Sequence, residues 1–339
     1  MAVNHWLRGS AILLALSIII AGAVTASIKS VHTSVSSEIA AGEAAITDTS
    51  NVNPKFDPKA ALGVEVQEKL KHAGPDAVIA RNSSTGVTIV TDRKPVRSVN
   101  IFGTEPSTPS SSDAVEEGSN IFTPNLVIGT DNRSQITNVN AYPYRAVVFL
   151  EITYASGAKG TASGAFVSNT AILTAGHVVY SQKHGWATSI KVIPGGTRSS
   201  NKTATTSDVL SVNAWVNNAN WEYDYGMIRV PASLGTGYFG TSAKSDANLT
   251  GKSVYNYGYP ADKKYGTLWY DSGTVGTAMA RRFPHNTDTS SGSSGGPISL
   301  NTDYTYIVGI HSDSYNSSYN IATRVTADVV DFIQTNTSW

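Results

Sequence analysis

The chain has 339 residues, a formal net charge of zero and no cysteine. A balanced charge argues against a nucleic-acid partner, and the absence of cysteine excludes a disulfide scaffold and cysteine-based zinc sites. The fold must therefore depend on an apolar core.

The N-terminus has the pattern of a secretory signal. Arg8 precedes an apolar run that extends to Ile20, and small residues follow at Val24, Thr25 and Ala26. This pattern predicts a signal peptide over residues 1–26, cleaved after Ala26. An uncleaved membrane anchor is the alternative, although the apolar run is short for a span of about 20 residues. We expect a secreted, extracellular protein with no membrane association after signal removal.

Residues 27–125 differ in character from the rest of the chain. They are rich in Ser, Thr, Ala and Val and end in the spacer-like STPSSSDAVEEGS at 107–119. We interpret them as a pro-segment that is removed later, with a separate N-terminal domain as the alternative. The stretch 77–102 could form a few strands.

From Leu126 onward, short runs rich in Val, Ile, Tyr and Thr alternate with Gly, Asn and Pro, as in RAVVFLEITY, YGMIRV and YTYIVGIHS. This pattern predicts strands. Only the tail VTADVVDFIQTN has helical spacing of its apolar residues. We predict an all-β fold closed by a C-terminal helix, of a length that suits two packed barrels with a cleft between them.

The Gly/Ser-rich run DTSSGSSGGPIS at 288–299 could be a linker, but strand-like segments flank it. A serine nucleophile there needs a base and a group that orients the base. His177 follows an apolar strand in AILTAGHVVY, and Asp224 precedes one in WEYDYGMIRV. The order His177, Asp224, Ser294 is the chymotrypsin-like order.

Ser294 also fits the G-x-S-x-G pattern of the α/β-hydrolase nucleophile elbow. In that fold the acid and the histidine follow the serine, and here only His311 does so, after seventeen residues. The helices expected before the serine are missing as well, so we exclude this arrangement.

Several motifs together carry a family resemblance: VIGTDNR, AYPYRAVV, TAGHVVY, YDYGMI, GYPADKKYGTLW and SGSSGGP. The chain from about residue 126 to its end resembles the glutamyl endopeptidase family, which are secreted bacterial serine proteases of chymotrypsin fold. The resemblance implies two six-stranded antiparallel barrels, over 126–235 and 236–339, the second ending in the helix.

The resemblance also implies site residues. It assigns His177 as general base, Asp224 as its orienting carboxylate and Ser294 as nucleophile. The amides of Gly292 and Ser294 would form the oxyanion hole. We predict no cofactor and no metal, a monomer, and protein or peptide substrates. An inactive homologue that only binds is the rival from another class, against which the intact triad argues.

Asp288 lies six residues before Ser294, the spacing at which trypsin-like proteases bind Lys or Arg, so cleavage after basic residues is one hypothesis. The resemblance instead implies that Thr289 and His311 grip a substrate glutamate carboxylate, with weaker cleavage after Asp. It places the mature N-terminal amine, at Leu126, near the same pocket. An activating protease would cut near Asn125–Leu126.

Residues 126–339 contain only two Glu but fifteen Lys plus Arg. An enzyme that cuts after Glu would gain resistance to itself from this composition. One departure from the family is Asp313, which follows His311-Ser312. If Asp313 lines the pocket it would repel an acidic substrate, and if it points outward it would only tune subsite preference.

Overall fold

A computed structural model describes residues 44–82, 86–90, 126–231 and 233–337. The predicted signal peptide and the spacer-like stretch 107–119 lie outside the described residues. Within the described part of the chain, no helix combines the length and apolar character that crossing a bilayer requires.

The described residues are dominated by strands. In chain order the strands are β1 Ala45–Asp48, β2 Val78–Asn82, β3 Gly86–Val90, β4 Ser134–Gln135, β5 Val147–Tyr154, β6 Lys159–Phe166, β7 Ala171–Thr174, β8 Tyr180–Ser181, β9 Gly185–Pro194, β10 Ala204–Thr206, β11 Val209–Val212, β12 Gly226–Arg229, β13 Gly240–Thr241, β14 Ser253–Gly258, β15 Trp269–Thr274, β16 Arg282–His285, β17 Pro297–Leu300, β18 Asp303–Asn316 and β19 Tyr319–Arg324.

Helices are few and mostly short. The α-helices are α1 Val64–His72, α2 Gly176–Val179, α3 Asn213–Val216 and α4 Ala327–Asn336, and the 3-10 turns are Ala60–Leu62, Tyr144–Ala146, Gly196–Arg198, Trp221–Tyr223 and Asp246–Asn248. Helix α4 coincides with the predicted tail helix and buries Val329, Phe332 and Ile333. The predicted all-β fold with a closing helix is therefore confirmed.

Two sheets organise the strands. The first has eleven strands, with the order β10-β9-β5-β6-β7-β12-β11-β2-β3 and with β1 and β8 added beside β6 and β9. The second has eight, with the order β16-β19-β18-β17-β14-β15-β4 and with β13 beside β18. The pairs are antiparallel except for β13 with β18, which is parallel. Strand β4 belongs to the second sheet although it precedes the first sheet's strands β5 to β12 in sequence.

Each sheet covers buried apolar residues. One large cluster includes Val148, Leu150 and Ile228 of the first sheet. A smaller cluster lies within the second sheet and includes Val254, Phe283 and Ile298. Their β-branched and aromatic composition explains why these segments adopt strands that pack on one face.

The predicted pro-segment contributes three strands and helix α1. Strands β2 and β3 form an antiparallel hairpin within the stretch 77–102, which agrees with its strand-like composition. Sequence patterning did not reveal α1.

Candidate active site

The loops that carry His177 and Asp224 meet at the ends of two neighbouring strands. His177 lies in α2, directly after β7, and Asp224 directly precedes β12, which pairs with β7. His177 Nδ1 is 2.9 Å from Asp224 Oδ2, and the His177 amide donates to Asp224 Oδ1 at 2.8 Å. The aspartate therefore holds both the ring and the backbone of the histidine.

Asp224 is completely buried. Burial opposes its ionisation, but the adjacent His177 and hydrogen bonds from His177 and Ser312 outweigh burial and hold the pKa of Asp224 below its ordinary value. Asp224 is therefore a carboxylate at neutral pH, suited to stabilise a positively charged imidazole.

Ser312, on β18 of the second sheet, contacts this pair. Its hydroxyl donates to Asp224 Oδ2 at 2.5 Å, and its carbonyl accepts from the Ser294 hydroxyl at 3.4 Å. Ser312 thus contacts both Asp224 and Ser294, and the three residues predicted from sequence come together between the sheets. Ser312 itself was missed, because a serine after GIH has no distinguishing signal in one sequence.

The loop before β17 contains two backbone amides, those of Gly292 and Ser294, on either side of Ser293. Gly292 has φ of +92°, a conformation that a side chain disfavours, and a Cβ there would lie 2.7 Å from the Tyr259 carbonyl oxygen. The amides of Ser293, Gly295 and Gly296 donate to backbone carbonyls. Among the described residues, the amides of Gly292 and Ser294 have no hydrogen-bond acceptor.

Ser163, on β6 of the first sheet, holds this loop. Its hydroxyl donates to the Gly292 carbonyl at 2.8 Å and accepts from the Tyr259 amide at 2.9 Å. Its own amide donates to the Ser294 carbonyl at 2.9 Å. Ser163 thus contacts both residues whose amides were predicted to form the oxyanion hole. Sequence reasoning missed it, since the partners of its hydroxyl lie 96 and 129 positions away.

Thr289 and His311 are both fully or almost fully buried. The Thr289 hydroxyl has no hydrogen-bond partner among the described residues. A buried hydroxyl without a partner is costly, and an acceptor on a bound ligand would remove that cost. The His311 amide donates to the Gly296 carbonyl at 2.9 Å, which fixes it beside the Ser294 loop.

Behind His311 lies a chain of polar groups. His311 Nδ1 is 3.3 Å from His285 Nε2, His285 Nδ1 is 2.7 Å from Thr287 Oγ1, and Asn256 Nδ2 donates to Thr287 Oγ1 at 3.1 Å. Burial lowers the pKa of His285 to about 3. Burial, with the neighbouring histidines, also lowers the pKa of His311 well below its ordinary value, so both rings are neutral at pH 7.

Leu126 lies next to Thr289. The Leu126 carbonyl accepts from the Thr289 amide at 3.0 Å and from Asn320 Nδ2 at 2.9 Å, and its own amide nitrogen donates to Asn320 Oδ1 at 3.0 Å. Arg133 fastens the same segment to the second sheet's loop through Asp262, at 2.5 Å and 3.0 Å. The segment that starts at Leu126 is thus positioned while the chain is uncut.

The Asp288 carboxylate binds backbone amides of that segment. Its Oδ1 accepts from the Ile128 amide at 2.7 Å, and its Oδ2 accepts from the Asn132 amide at 2.8 Å. Both carboxylate oxygens therefore have backbone donors. This arrangement opposes the hypothesis that Asp288 binds a substrate Lys or Arg, because a binding carboxylate needs exposed acceptor sites.

Asp313 is buried, with 5% of its surface exposed, and its Oδ1 accepts from the Ser314 amide at 2.7 Å. Burial raises the pKa of Asp313 to about 6. It therefore does not point outward to solvent. Among the described residues, no group of three or more His, Asp or Glu side chains could hold a metal ion.

Comparisons with known proteins agree on the fold. The Trypsin family matches residues 133–333. A solved structure of a Glu endopeptidase superposes with a TM-score of 0.57 at 27% identity, covering 63% of this chain and 100% of that one. The predicted chymotrypsin-like fold is confirmed by this similarity.

Two curated relatives are similar in sequence. Glutamyl endopeptidase of Bacillus licheniformis is 33% identical over 226 residues, which are 63% of this chain and 68% of the relative. A Bacillus subtilis protein named Extracellular metalloprotease is 36% identical over 227 residues, which are 65% of this chain and 72% of the relative.

Proposed function

We propose that this chain cuts peptide bonds on the C-terminal side of Glu, and more slowly after Asp. The chain belongs to the trypsin family and is a serine endopeptidase similar to the glutamyl endopeptidases. The observation that carries this proposal is the buried Thr289 hydroxyl, which has no partner among the described residues, together with the buried, neutral His311 and an Asp288 whose carboxylate is already engaged.

The proposed chemistry uses Ser294, His177 and Asp224. Ser294 Oγ attacks the scissile carbonyl carbon while His177 takes the hydroxyl proton, and Asp224 stabilises the imidazolium that forms. Collapse of the tetrahedral intermediate breaks the C–N bond, and His177 returns the proton to the leaving amine. Water then attacks the acyl-enzyme with His177 again as the base. The bond to Ser294 Oγ breaks, His177 returns the proton to Ser294, and the acid product is released.

The amides of Gly292 and Ser294 would donate to the oxygen that becomes negative in this intermediate. Their lack of acceptors among the described residues supports that role. Removing one such donor in other serine proteases lowers the rate by about 100- to 1,000-fold.

The polar chain behind His311 supports recognition of a carboxylate. Asn256 Nδ2 can only donate, so the Thr287 hydroxyl accepts from it and donates its own hydrogen bond to His285 Nδ1. His285 then donates from Nε2 to His311 Nδ1. This sequence of donors leaves the His311 proton on Nε2, where a neutral imidazole would donate to the substrate carboxylate together with Thr289.

The position of Leu126 supports activation by a cut before it. A cut at Asn125–Leu126 would create an amine at the Leu126 nitrogen, which contacts Asn320 beside Thr289. A positive charge there would offset the negative charge of a buried substrate glutamate. We expect an activating protease to make this cut, and we expect the secreted enzyme to act as a monomer on proteins and peptides outside the cell.

The test is cleavage by residues 126–339 of four matched peptides that differ only in the residue before the scissile bond: Glu, Asp, Lys or Phe. We expect rapid cleavage after Glu, slow cleavage after Asp, and none by a Ser294→Ala variant. Cleavage after Lys would assign recognition to Asp288. Because one relative is named a metalloprotease, the assay is repeated with a metal chelator. We expect cleavage to continue in its presence, since the proposed reaction depends on Ser294 and not on a metal.

A further inference from the structure

Residues 44–82 extend the first sheet at two places. Strand β1 pairs with the start of β6, with Ala45 opposite Thr161. Strand β2 covers the edge of β11, in a register from Val78 opposite Val212 to Arg81 opposite Val209. Unpaired strand edges attract further strands, and these two edges are satisfied by the predicted pro-segment.

The same residues belong to the core of the first sheet. Leu70, Val78 and Ile79 are each at most 2% exposed, and they lie in one apolar cluster with Val209, Leu210 and Val212 of β11. Burial of such apolar side chains is the main source of stabilisation in a protein core. The contact is therefore a core contact and not a loose surface contact.

Asn213, at the end of β11, caps helix α1. Its Nδ2 lies 3.3 Å from the Leu70 carbonyl, 3.0 Å from that of Ala73 and 3.2 Å from that of Gly74. Leu70 lies in the last turn of α1, where its carbonyl also accepts from the Ala73 amide, and Ala73 and Gly74 directly follow the helix. The protease portion of the chain thus supplies a side chain that holds the C-terminal end of α1.

Gly160, on β6, is shaped for β1. A Cβ at Gly160 would lie 2.9 Å from the Ala45 carbonyl oxygen and 3.3 Å from Ile46 Cδ1, and its three nearest neighbours all belong to β1. Gly160 is not among the described glycines with positive φ, so a turn does not require it. The close approach of β1 is the physical reason for a glycine in this strand.

We propose that residues 44–82 stay bound to the first sheet as a non-covalent subunit after the chain is cut before Leu126. This inference depends on the cut that the proposed function includes. The contacts that hold the segment include pairing with β6 and β11 and the hydrogen bonds from Asn213, and Asp76 also contacts Tyr225 and Arg281. These contacts all involve residues 44–82, so a cut before Leu126 leaves them in place.

The test uses residues 27–339 with Ser294→Ala and a recognition sequence for an unrelated protease inserted within 107–119. After cutting, size-exclusion chromatography and native mass spectrometry at about 1 μM are expected to show both fragments as one 1:1 complex. Two separate fragments at this concentration would overturn the proposal. Because the chain is inactive, this result is independent of whether the enzyme cuts after Glu.

Two substitutions of the same kind provide the matched comparison. Val78→Asp places a carboxylate in the buried contact and is expected to weaken binding by about 100-fold or more. Val64→Asp, at a position that is 77% exposed, is expected to leave binding unchanged. Equal effects of the two would contradict a core contact.

Two milder substitutions test the same contacts if the Val78→Asp variant does not fold. Asn213→Ala removes the cap of α1, and Gly160→Val obstructs β1; each is expected to speed dissociation of the cut complex by about 10-fold. No change in either variant would overturn the assigned contacts.

Discussion

Ser163 shows how one side chain in the first sheet can act on a loop of the second. Its hydroxyl bridges the Gly292 carbonyl and the Tyr259 amide, and its amide holds the Ser294 carbonyl. The bonds to the two carbonyls orient peptide planes next to the amides proposed to face the oxyanion. Ser163 contacts neither substrate nor reacting atoms, so it is a positioning residue.

Ser163→Ala is expected to lower kcat by about 10- to 100-fold with little change in KM, which is less than the loss of an oxyanion donor itself. Affinity for a peptide aldehyde, which forms a tetrahedral adduct, should fall in parallel. Ser156→Ala is the control, because Ser156 is also buried and hydrogen-bonded but contacts His184. A lower melting temperature with unchanged kcat per titrated site would show a structural role only.

A substitution at Thr287 tests the proposed order of hydrogen-bond donors behind His311. Thr287→Val keeps the shape of the side chain but removes the hydroxyl that contacts His285 at 2.7 Å. We expect kcat/KM for a Glu peptide to fall by about 3- to 10-fold, and the preference for Glu over a matched Gln peptide to fall with it. Thr188→Val, whose hydroxyl contacts the distant Thr153 carbonyl, is the control. Equal losses on Glu and Gln peptides would refute the proposed order of hydrogen-bond donors from Thr287 through His285 to His311.

Asp313 makes stability depend on pH. Its folded pKa of about 6 exceeds the ordinary value of 3.8, so the folded state binds this proton more tightly than the unfolded state. Stability is therefore lost as the pH rises from about 4 through 6. Asp313→Asn should match the parent below pH 4 and exceed it above pH 6.5, by about 3 kcal/mol. Thermal unfolding measured from pH 3.5 to 7.5 tests this, and a difference that does not vary with pH would contradict it.

At the scale of elements, the segment that starts at Leu126 connects maturation to the site. Asn320 and Thr289 hold Leu126, Asp288 holds Ile128 and Asn132, and Arg133 holds the loop of Asp262. The carboxylate that resembles a specificity residue in sequence is thus an anchor for the segment. The new amine can form where the uncut chain already lies.

Adding one alanine before Leu126 displaces that amine by one residue. We expect kcat/KM for a Glu peptide to fall by about 10-fold or more, with a smaller fall for the matched Gln peptide, because only the charged side chain benefits from the amine. A chain that starts at Leu126 is the reference. Full activity of the extended chain would show that the amine is not required.

At the scale of the whole molecule, strand pairing protects the enzyme from its own proposed activity. Glu151 lies within β5, with Thr161 of β6 on one side and Lys191 of β9 on the other. Its backbone cannot enter a protease cleft unless the sheet opens. The contacts that form the fold therefore also determine which Glu can be cut.

Residues 126–339 incubated with themselves for a day should keep their intact mass. Urea at a concentration near the unfolding transition should allow cuts after Glu151 and Glu222, the only two Glu in this region. Mass spectrometry of the products tests this. Cuts after Lys or Arg would contradict the proposed specificity, and a cut after Glu151 in native buffer would contradict protection by the sheet.

Local sequence patterns were enough to predict the all-β class, the closing helix α4, and the order of His177, Asp224 and Ser294. Strand and helix periodicity is local, and the triad residues each lie in a short motif. Only the tertiary structure showed that Asp288 is engaged by the Ile128 and Asn132 amides, that Ser163 and Ser312 join the two sheets, and that residues 44–82 complete the first one. Those contacts join residues far apart in the chain, and their strength comes from burial and hydrogen-bond partners that no local pattern contains.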